Sequence, residues 1–276
     1  MLINSHGNAE LSPVSLLRSI FNNRHMIWHL TRRDISSRYK GSILGIAWSF
    51  FTPLFMLAVY TFVFSVVFES RWGQKENHAQ FALVLFAGMI VINLFNEVLS
   101  RAPSAVISNV NYVKRVIFPV EVLPLIITLT ASFNALLSLC VLLGAFLSFN
   151  LYVNWTAIFI FPILLPLAIL ALGLAWILAA LGVFLRDVGQ TIMIVTMTLT
   201  FLSPVFYPLS SVPVKYRDYI LANPPTFIIG QAREALIWGG MPDWIGLGEY
   251  TIFALVVAFA GYAWFQYMRK GFADVI

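Results

Sequence analysis

The chain has 276 residues, 60% of them hydrophobic and only 11% charged, with a mean hydropathy of +0.85. Soluble domains sit near about 45–50% apolar and about 25% charged, so this composition excludes a water-soluble globular fold and predicts an all-α polytopic membrane protein. The net charge of +5 is therefore read from where cations lie along the chain and not as a nucleic-acid footprint, and the single cysteine, Cys140, excludes an intramolecular disulfide and a cysteine metal cluster.

Residues 1–13, "MLINSHGNAELSP", are polar and contain no apolar core of a cleavable signal peptide. Residues 14–40 follow as a basic amphipathic segment, opened by Ser12 as N-cap and Pro13 in the first turn. At about 100° per residue, Leu17, Phe21, Trp28 and Ile35 fall on one stripe, flanked by Leu16, Ile20 and Ile27. Arg18, His25, His29, Arg33 and Lys40 gather opposite, while Arg24 and Arg38 interrupt the apolar side. Such a helix lies in the membrane interface, with its basic face toward lipid headgroups or toward a docked partner. Its last stretch, "TRRDISSRYKGSILG", joins the first span through Gly41 and Gly45, read as the bend between the two.

A bilayer crossing needs about 20 apolar residues, and six candidates follow: 43–68, 81–100, 119–149, 155–185, 190–207 and 250–268. The first is aromatic, and Phe51, Phe55, Tyr60 and Phe62 are candidates for a stacking surface that lines a channel, as rings stack on nucleobases elsewhere. Rings that face lipid are the competing reading. Asn93 and Glu97, near the end of the second span, are polar channel-lining candidates, with Asn96, Glu121, Asn134 and Ser138 nearby in polarity. Both acids lie near span ends, and no Lys, Arg or His interrupts a span, so little here couples an ion gradient.

Between spans two and three, residues 103–118 are too polar to cross and too apolar for an open loop; a short helix between Pro103 and Pro119 fits. Between spans five and six, residues 213–240 carry two apolar pieces too short to cross, "YRDYILA" and "PPTFIIGQAREALIWGG". Pro213, Pro224, Pro225 and Gly239-Gly240 punctuate them, which predicts short helices that dip into the bilayer, or a cap lying flat on its surface. Twelve Lys and Arg residues fall on the side of the termini, from Arg18 to Lys40, at Arg101, Lys114, Arg115 and Arg186, and at Arg269 and Lys270. Arg71, Lys75, Lys215, Arg217 and Arg233 fall on the other, so the positive-inside rule predicts cytoplasmic termini.

No G-x-x-x-x-G-K-[ST] phosphate loop, HExxH or G-x-S-x-G occurs, and the four histidines lie outside the spans. A membrane enzyme would gather acids, bases or metal ligands at one interface, and none assemble here. A conduit that draws its energy from another chain fits better.

Three separated stretches carry a resemblance: "RDISSRYKGSILGIAWSFFTPLFMLAVYTFVFSVVF", "NVNYVKRVIFPVEVLP" and "SPVFYPLSSVPVKYRDYILANPPTFIIGQAREAL". In order and spacing they resemble type-two ABC exporter permeases of the polysaccharide-export family, over roughly residues 15–270. The similarity is strongest to O-antigen lipopolysaccharide permeases, with capsule and teichoic-acid permeases as relatives and a small-lipid or drug permease as the alternative. The resemblance implies a homodimer in the bacterial inner membrane, joined by two copies of a separate ATPase subunit that binds ATP and Mg; this chain holds no cofactor. It implies that an undecaprenyl-diphosphate-linked glycan threads a channel between protomers. It also implies an ATPase interface at Phe21, Arg24, Trp28, Arg32, Asn109, Tyr112 and Lys114, with residues 103–118 as a coupling or gate helix. An outer gate would use Tyr216, Tyr219, Asn223 and Arg233. Arg33, Arg38 and Lys40 are candidates to receive the lipid diphosphate, since interfacial cations attract lipid phosphates.

Overall fold

The computed structural model describes residues 13–63, 78–113 and 118–275, and every regular element among them is helical. Helix α1 (Pro13–Asn22) and helix α2 (Arg24–Ser37) replace the single amphipathic segment expected over 14–40. They part at Asn23, whose ψ of 10° lies outside the helical range. The face of α2 that packs inward is Ile27, Thr31 and Ile35, one residue per turn, while Phe21 and Trp28, expected on the apolar stripe, are 67% and 66% exposed. The expected N-cap Ser12 and the side chains of Leu16 and Leu17 lie outside the described residues.

Gly41 and Gly45 carry φ of 87° and 53° and turn the chain from α2 into the first span, as their placement suggested. That span runs from a 3-10 turn at Gly45–Ala47 into α3 (Trp48–Tyr60); the expected stretch 64–68 lies outside the described residues. Helix α4 (His78–Arg101) is the axle of the molecule. The most apolar stretch of this span is 83% buried, against 17% for the first span. Other helices therefore surround α4 on nearly all sides, and a helix apolar all round is the sequence such a position selects.

Of the connector expected as one helix over 103–118, the described residues form three short pieces: turns at Ala102–Ser104 and Ile107–Asn109, then α5 (Val110–Val113). Pro103 sits in the first turn, where its missing N–H costs nothing. Helix α6 (Val122–Asn150) returns across the bundle and ends at Leu151, the one non-glycine residue with positive φ among those described. A 3-10 turn at Trp155–Phe159 leads into α7 (Ile160–Phe184). Helix α8 (Val188–Leu202) is the short one, as the sequence suggested for 190–207. Its 15 residues cover roughly 22 Å, less than the roughly 30 Å of a hydrocarbon core. It stops where Ser203, with ψ of 144°, precedes Pro204. Among the described residues, five helical stretches are long and apolar enough to cross a membrane; α8 is apolar but shorter.

Beyond α8, helices α9 (Val214–Leu221) and α10 (Pro224–Arg233) form a hairpin, and α10 continues as a π-turn through Trp238. The hairpin does not lie flat: Ile228, Ile229, Ala232, Ala235 and Leu236 are all buried in the main core beside α4 and α7. Gly239, with φ of 73°, closes it. Asp243 then caps α11 (Trp244–Met268), its carboxylate accepting from the Gly246 amide at 3.0 Å. Helix α11 begins six residues before the expected 250–268 span.

Helices α7 and α11 cross at glycine. A Cβ on Gly261 would lie 2.1 Å from the Gly173 carbonyl, and one on Gly173 would lie 2.6 Å from the Ala258 Cα. Small residues at such a crossing let backbones approach where lipid offers no hydrophobic drive. The chain ends with α12 (Phe272–Val275). The two terminal segments meet at Glu121: Ser19 of α1 donates to its carboxylate at 3.2 Å and Arg269 pairs with it at 2.9 Å.

Candidate functional site: a charged pocket where α2 meets the spans

Helices α3, α4 and α6 splay at the end nearest α2 and leave a cavity of about 440 Å³. Its wall is polar for a site among apolar spans. Arg38, Tyr60, Asn93, Glu97, Asn134 and Ser138 all face it. The helical register explains the clustering. Asn93 and Glu97 are one turn apart on α4, and Asn134 and Ser138 one turn apart on α6.

Glu97 is the hub. Its carboxylate pairs with Arg38, which caps the C-terminus of α2. The Asn134 amide donates to both its oxygens, at 3.0 and 3.2 Å. Arg101, one turn further along α4, has Nη1 at 3.6 Å from the same Glu97 oxygen. The Arg101 Nη2 instead reaches both oxygens of Asp34, each at 2.8 Å. Asp34, Arg38, Glu97 and Arg101 thus form a chain of alternating charge from α2 into α4, with net charge zero. Their side chains are 22–30% exposed, so water screens each pair, and the network positions groups more than it stabilises the fold. Asn96, also in the cavity wall, donates its amide to Thr200 of α8 at 2.7 Å.

A second cavity, of about 470 Å³, lies between α2 and the connector, lined by Arg33, Asp34, Asn109 and Tyr112 among others. Arg33 donates to the Tyr112 hydroxyl and stands 5.3 Å from its ring centre, and Tyr112 stacks on Phe118 with centroids 4.8 Å apart. Helix α2 and the connector are held together at this point. Among the described residues no cluster of His, Cys, Asp and Glu has the geometry to hold a metal ion.

The structure divides the candidates the sequence put forward. Of the channel-lining set, Tyr60, Asn93 and Glu97 face the first cavity, whereas Phe51, Phe55 and Phe62 are 44%, 68% and 60% exposed on the outside of the chain. Arg33, Arg38 and Lys40 are not one cluster: Arg38 reaches the first cavity, Arg33 the second, and Lys40 is exposed beyond the end of α2. Arg24, Trp28 and Arg32, spaced by one turn, share an exposed face of α2, and Arg24 stacks over the exposed Phe21 ring at 4.5 Å. Asn109 and Tyr112 lie in the connector, turned toward the second cavity; Lys114 is outside the described residues.

At the opposite end of the bundle, Tyr216 and Tyr219 are 53% and 72% exposed, while Asn223 and Arg233 are buried. Asn223 donates to the Leu199 carbonyl and the Ser203 hydroxyl, and so ties the hairpin to the end of α8. Arg233 donates to the carbonyls of Val84, Pro204 and Val205 at 2.7–3.0 Å. These two are fastenings, and only the tyrosines are presented at the surface. Arg101 and Asp34 were not singled out from sequence as site residues. The spacing of Glu97 and Arg101 at i and i+4 was the available signal for the first; nothing in the sequence pointed to Asp34.

Residues 25–237 match the family model described as ABC-2 type transporter. The chain is 27% identical over 266 residues to the O-antigen export system permease protein RfbA of Myxococcus xanthus, spanning 95% of this chain and 100% of that one. It is 23% identical over 248 residues to the protein of the same name from Klebsiella pneumoniae, spanning 90% and 93%. It is also similar to the polysialic acid transport protein KpsM of Escherichia coli, at 25% identity over 246 residues, spanning 85% and 90%.

Proposed function

The chain belongs to the ABC-2 type transporter family, and from that premise we propose that it is the channel-forming permease subunit of an ATP-driven polysaccharide exporter. The cargo in this reading is an O-antigen polysaccharide linked to undecaprenyl diphosphate, moved across the bacterial inner membrane. The observation that carries it is the end-to-end similarity to the O-antigen permease of Myxococcus xanthus. Two features of the chain support it. The sequence has no phosphate loop, so ATP and Mg belong on two copies of a separate ATPase subunit. And the spans leave a polar cavity of about 440 Å³ lined by amides, hydroxyls and a carboxylate, groups suited to a hydroxyl-rich polymer with an anionic head.

The working unit is a homodimer with both termini in the cytoplasm, in line with the distribution of Lys and Arg. Phe21, Arg24, Trp28 and Arg32 offer an aromatic and cationic face to the ATPase, of the composition that dominates protein interfaces. The outward rings of the first span, Phe51, Phe55 and Phe62, face the second protomer across the channel.

Removal of the gene from its host tests the reading. Lipid-linked glycan should accumulate on the cytoplasmic face, and a plasmid copy should clear it. A host that shows no retained lipid-linked glycan would overturn the assignment. The similarity to the polysialic acid transport protein supports a second reading, capsular export. Retention of capsular polymer, with O-antigen still reaching the surface, would select it.

A further inference from the structure

The charge network contains a cation with one hand unoccupied. Arg101 is anchored by Nη2 on both oxygens of Asp34, yet its Nη1 is buried without a hydrogen-bond partner. That nitrogen stands 3.6 Å from the Glu97 oxygen that Arg38 now holds. A charge-assisted hydrogen bond needs an approach of only about 0.8 Å more.

Arg38 is mounted differently. It ends α2 just before Gly41 and Gly45, both at positive φ, and a Cβ at either would meet nothing within 4 Å. Its backbone thus runs into a bend with open space beside both glycines. The pair it makes is about a quarter exposed, at 27% and 22%, so giving it up costs little.

We propose that Arg38 and Arg101 exchange on Glu97, and that the Arg38 so released receives a phosphate group at the mouth of the first cavity. The inference rests on the export reading for the identity of the ligand, a diphosphate. Charge accounting favours it. In the present state two cations face two carboxylates. After exchange Arg101 bridges Asp34 and Glu97, both acids stay paired, and one guanidinium is left to meet an anion bidentately. Arg33 does not compete for this role, because it is engaged with Tyr112 in the second cavity.

The test is a binding cycle on the full chain in phosphatidylcholine nanodiscs, with undecaprenyl diphosphate and inorganic pyrophosphate as separate probes. Arg38→Gln should weaken binding about tenfold, the scale of one lost charged hydrogen bond. Glu97→Gln should tighten it about threefold, because Arg38 is no longer held by an exposed pair. A gain of this kind cannot arise from misfolding. Arg101→Gln should weaken binding about threefold alone and leave it unchanged in the Glu97→Gln background, a non-additivity that a purely structural role would not produce. Binding of both probes, or of the lipid alone, supports the proposal, the second adding a need for the tail. Weaker binding in Glu97→Gln, an equal effect of Arg101→Gln in both backgrounds, or no binding of either probe overturns it. Neither probe carries a glycan, so the exchange can fail while lipid-linked glycan still accumulates in the deleted host, and the reverse.

Discussion

Arg233 shows how one residue can be read two ways until its partners are known. Its side chain is 3% exposed and donates to carbonyls of Val84, Pro204 and Val205, from two separate parts of the chain. The Pro204 and Val205 carbonyls sit where α8 has ended and the backbone has no helical partner, so the guanidinium satisfies groups that lipid would leave bare and ties them to Val84 within α4. Arg233→Met should cost about 3 kcal/mol or more, since it strands several buried acceptors. The expected outcome is a clear fall in the unfolding midpoint in detergent; an unchanged midpoint would refute the fastening role. Gly261→Ala belongs to the same scale. Its new Cβ would lie 2.1 Å from the Gly173 carbonyl, so α7 and α11 must separate, at about 1–3 kcal/mol. Thermal melting reads this too. The residues legible in advance were those whose chemistry is out of place in an apolar run, Asn93 and Glu97 above all. Asp34 was invisible because an acid in a basic interfacial helix is ordinary until its partner is known.

At the scale of elements, the break at Asn23 matters most for the first two helices. The apolar stripe drawn through the break joins Phe21, Trp28 and Ile35, but α2 turns Ile27, Thr31 and Ile35 inward and leaves both rings exposed. Exposed aromatics beside Arg24 and Arg32 are what a docking face needs. Removing residues 1–40 should abolish co-purification of the ATPase subunit while the spans still insert; retained co-purification would end the docking proposal. Helix α3 makes the second case. Phe51 and Phe55 of α3, and Phe62 just beyond it, are 44%, 68% and 60% exposed, so changing each to Ala should move stability by less than about 0.5 kcal/mol. Export should nonetheless fall if they face the channel. Undiminished export by the triple variant would mean that the rings meet lipid.

The whole molecule is arranged around α4, with the hairpin of α9 and α10 plugged into one end and the charged pocket opened at the other. At the pocket end Glu121 is a clasp. It holds Ser19 of α1 and Arg269 beyond α11, while the Trp176 indole of α7 donates to its carbonyl at 2.9 Å. Glu121→Ala should release both terminal segments together. Hydrogen exchange should quicken over residues 13–22 and 269–275 and stay slow in α4; a change confined to one terminus would show that the two are fastened independently. Because the connector packs on α7, where Pro103 crowds Gly182, motion of α2 has a continuous path of contacts to the spans.

The sequence by itself determined the membrane class, the approximate spans, the Gly41–Gly45 bend and the short helices between α8 and α11. Each of these is a local property, set by apolar length and by the punctuation of Pro and Gly. Tertiary structure alone decided which charged residues join in one network between the two cavities. Asp34, Arg38, Glu97 and Arg101 converge because α2 and α4 lie against one another, and Asn134 joins them from α6. It also decided that Arg233 is a fastening and that Phe51 faces outward. Burial and partnership are set by which helix lies beside which, and helical periodicity gives a face without saying what that face will meet.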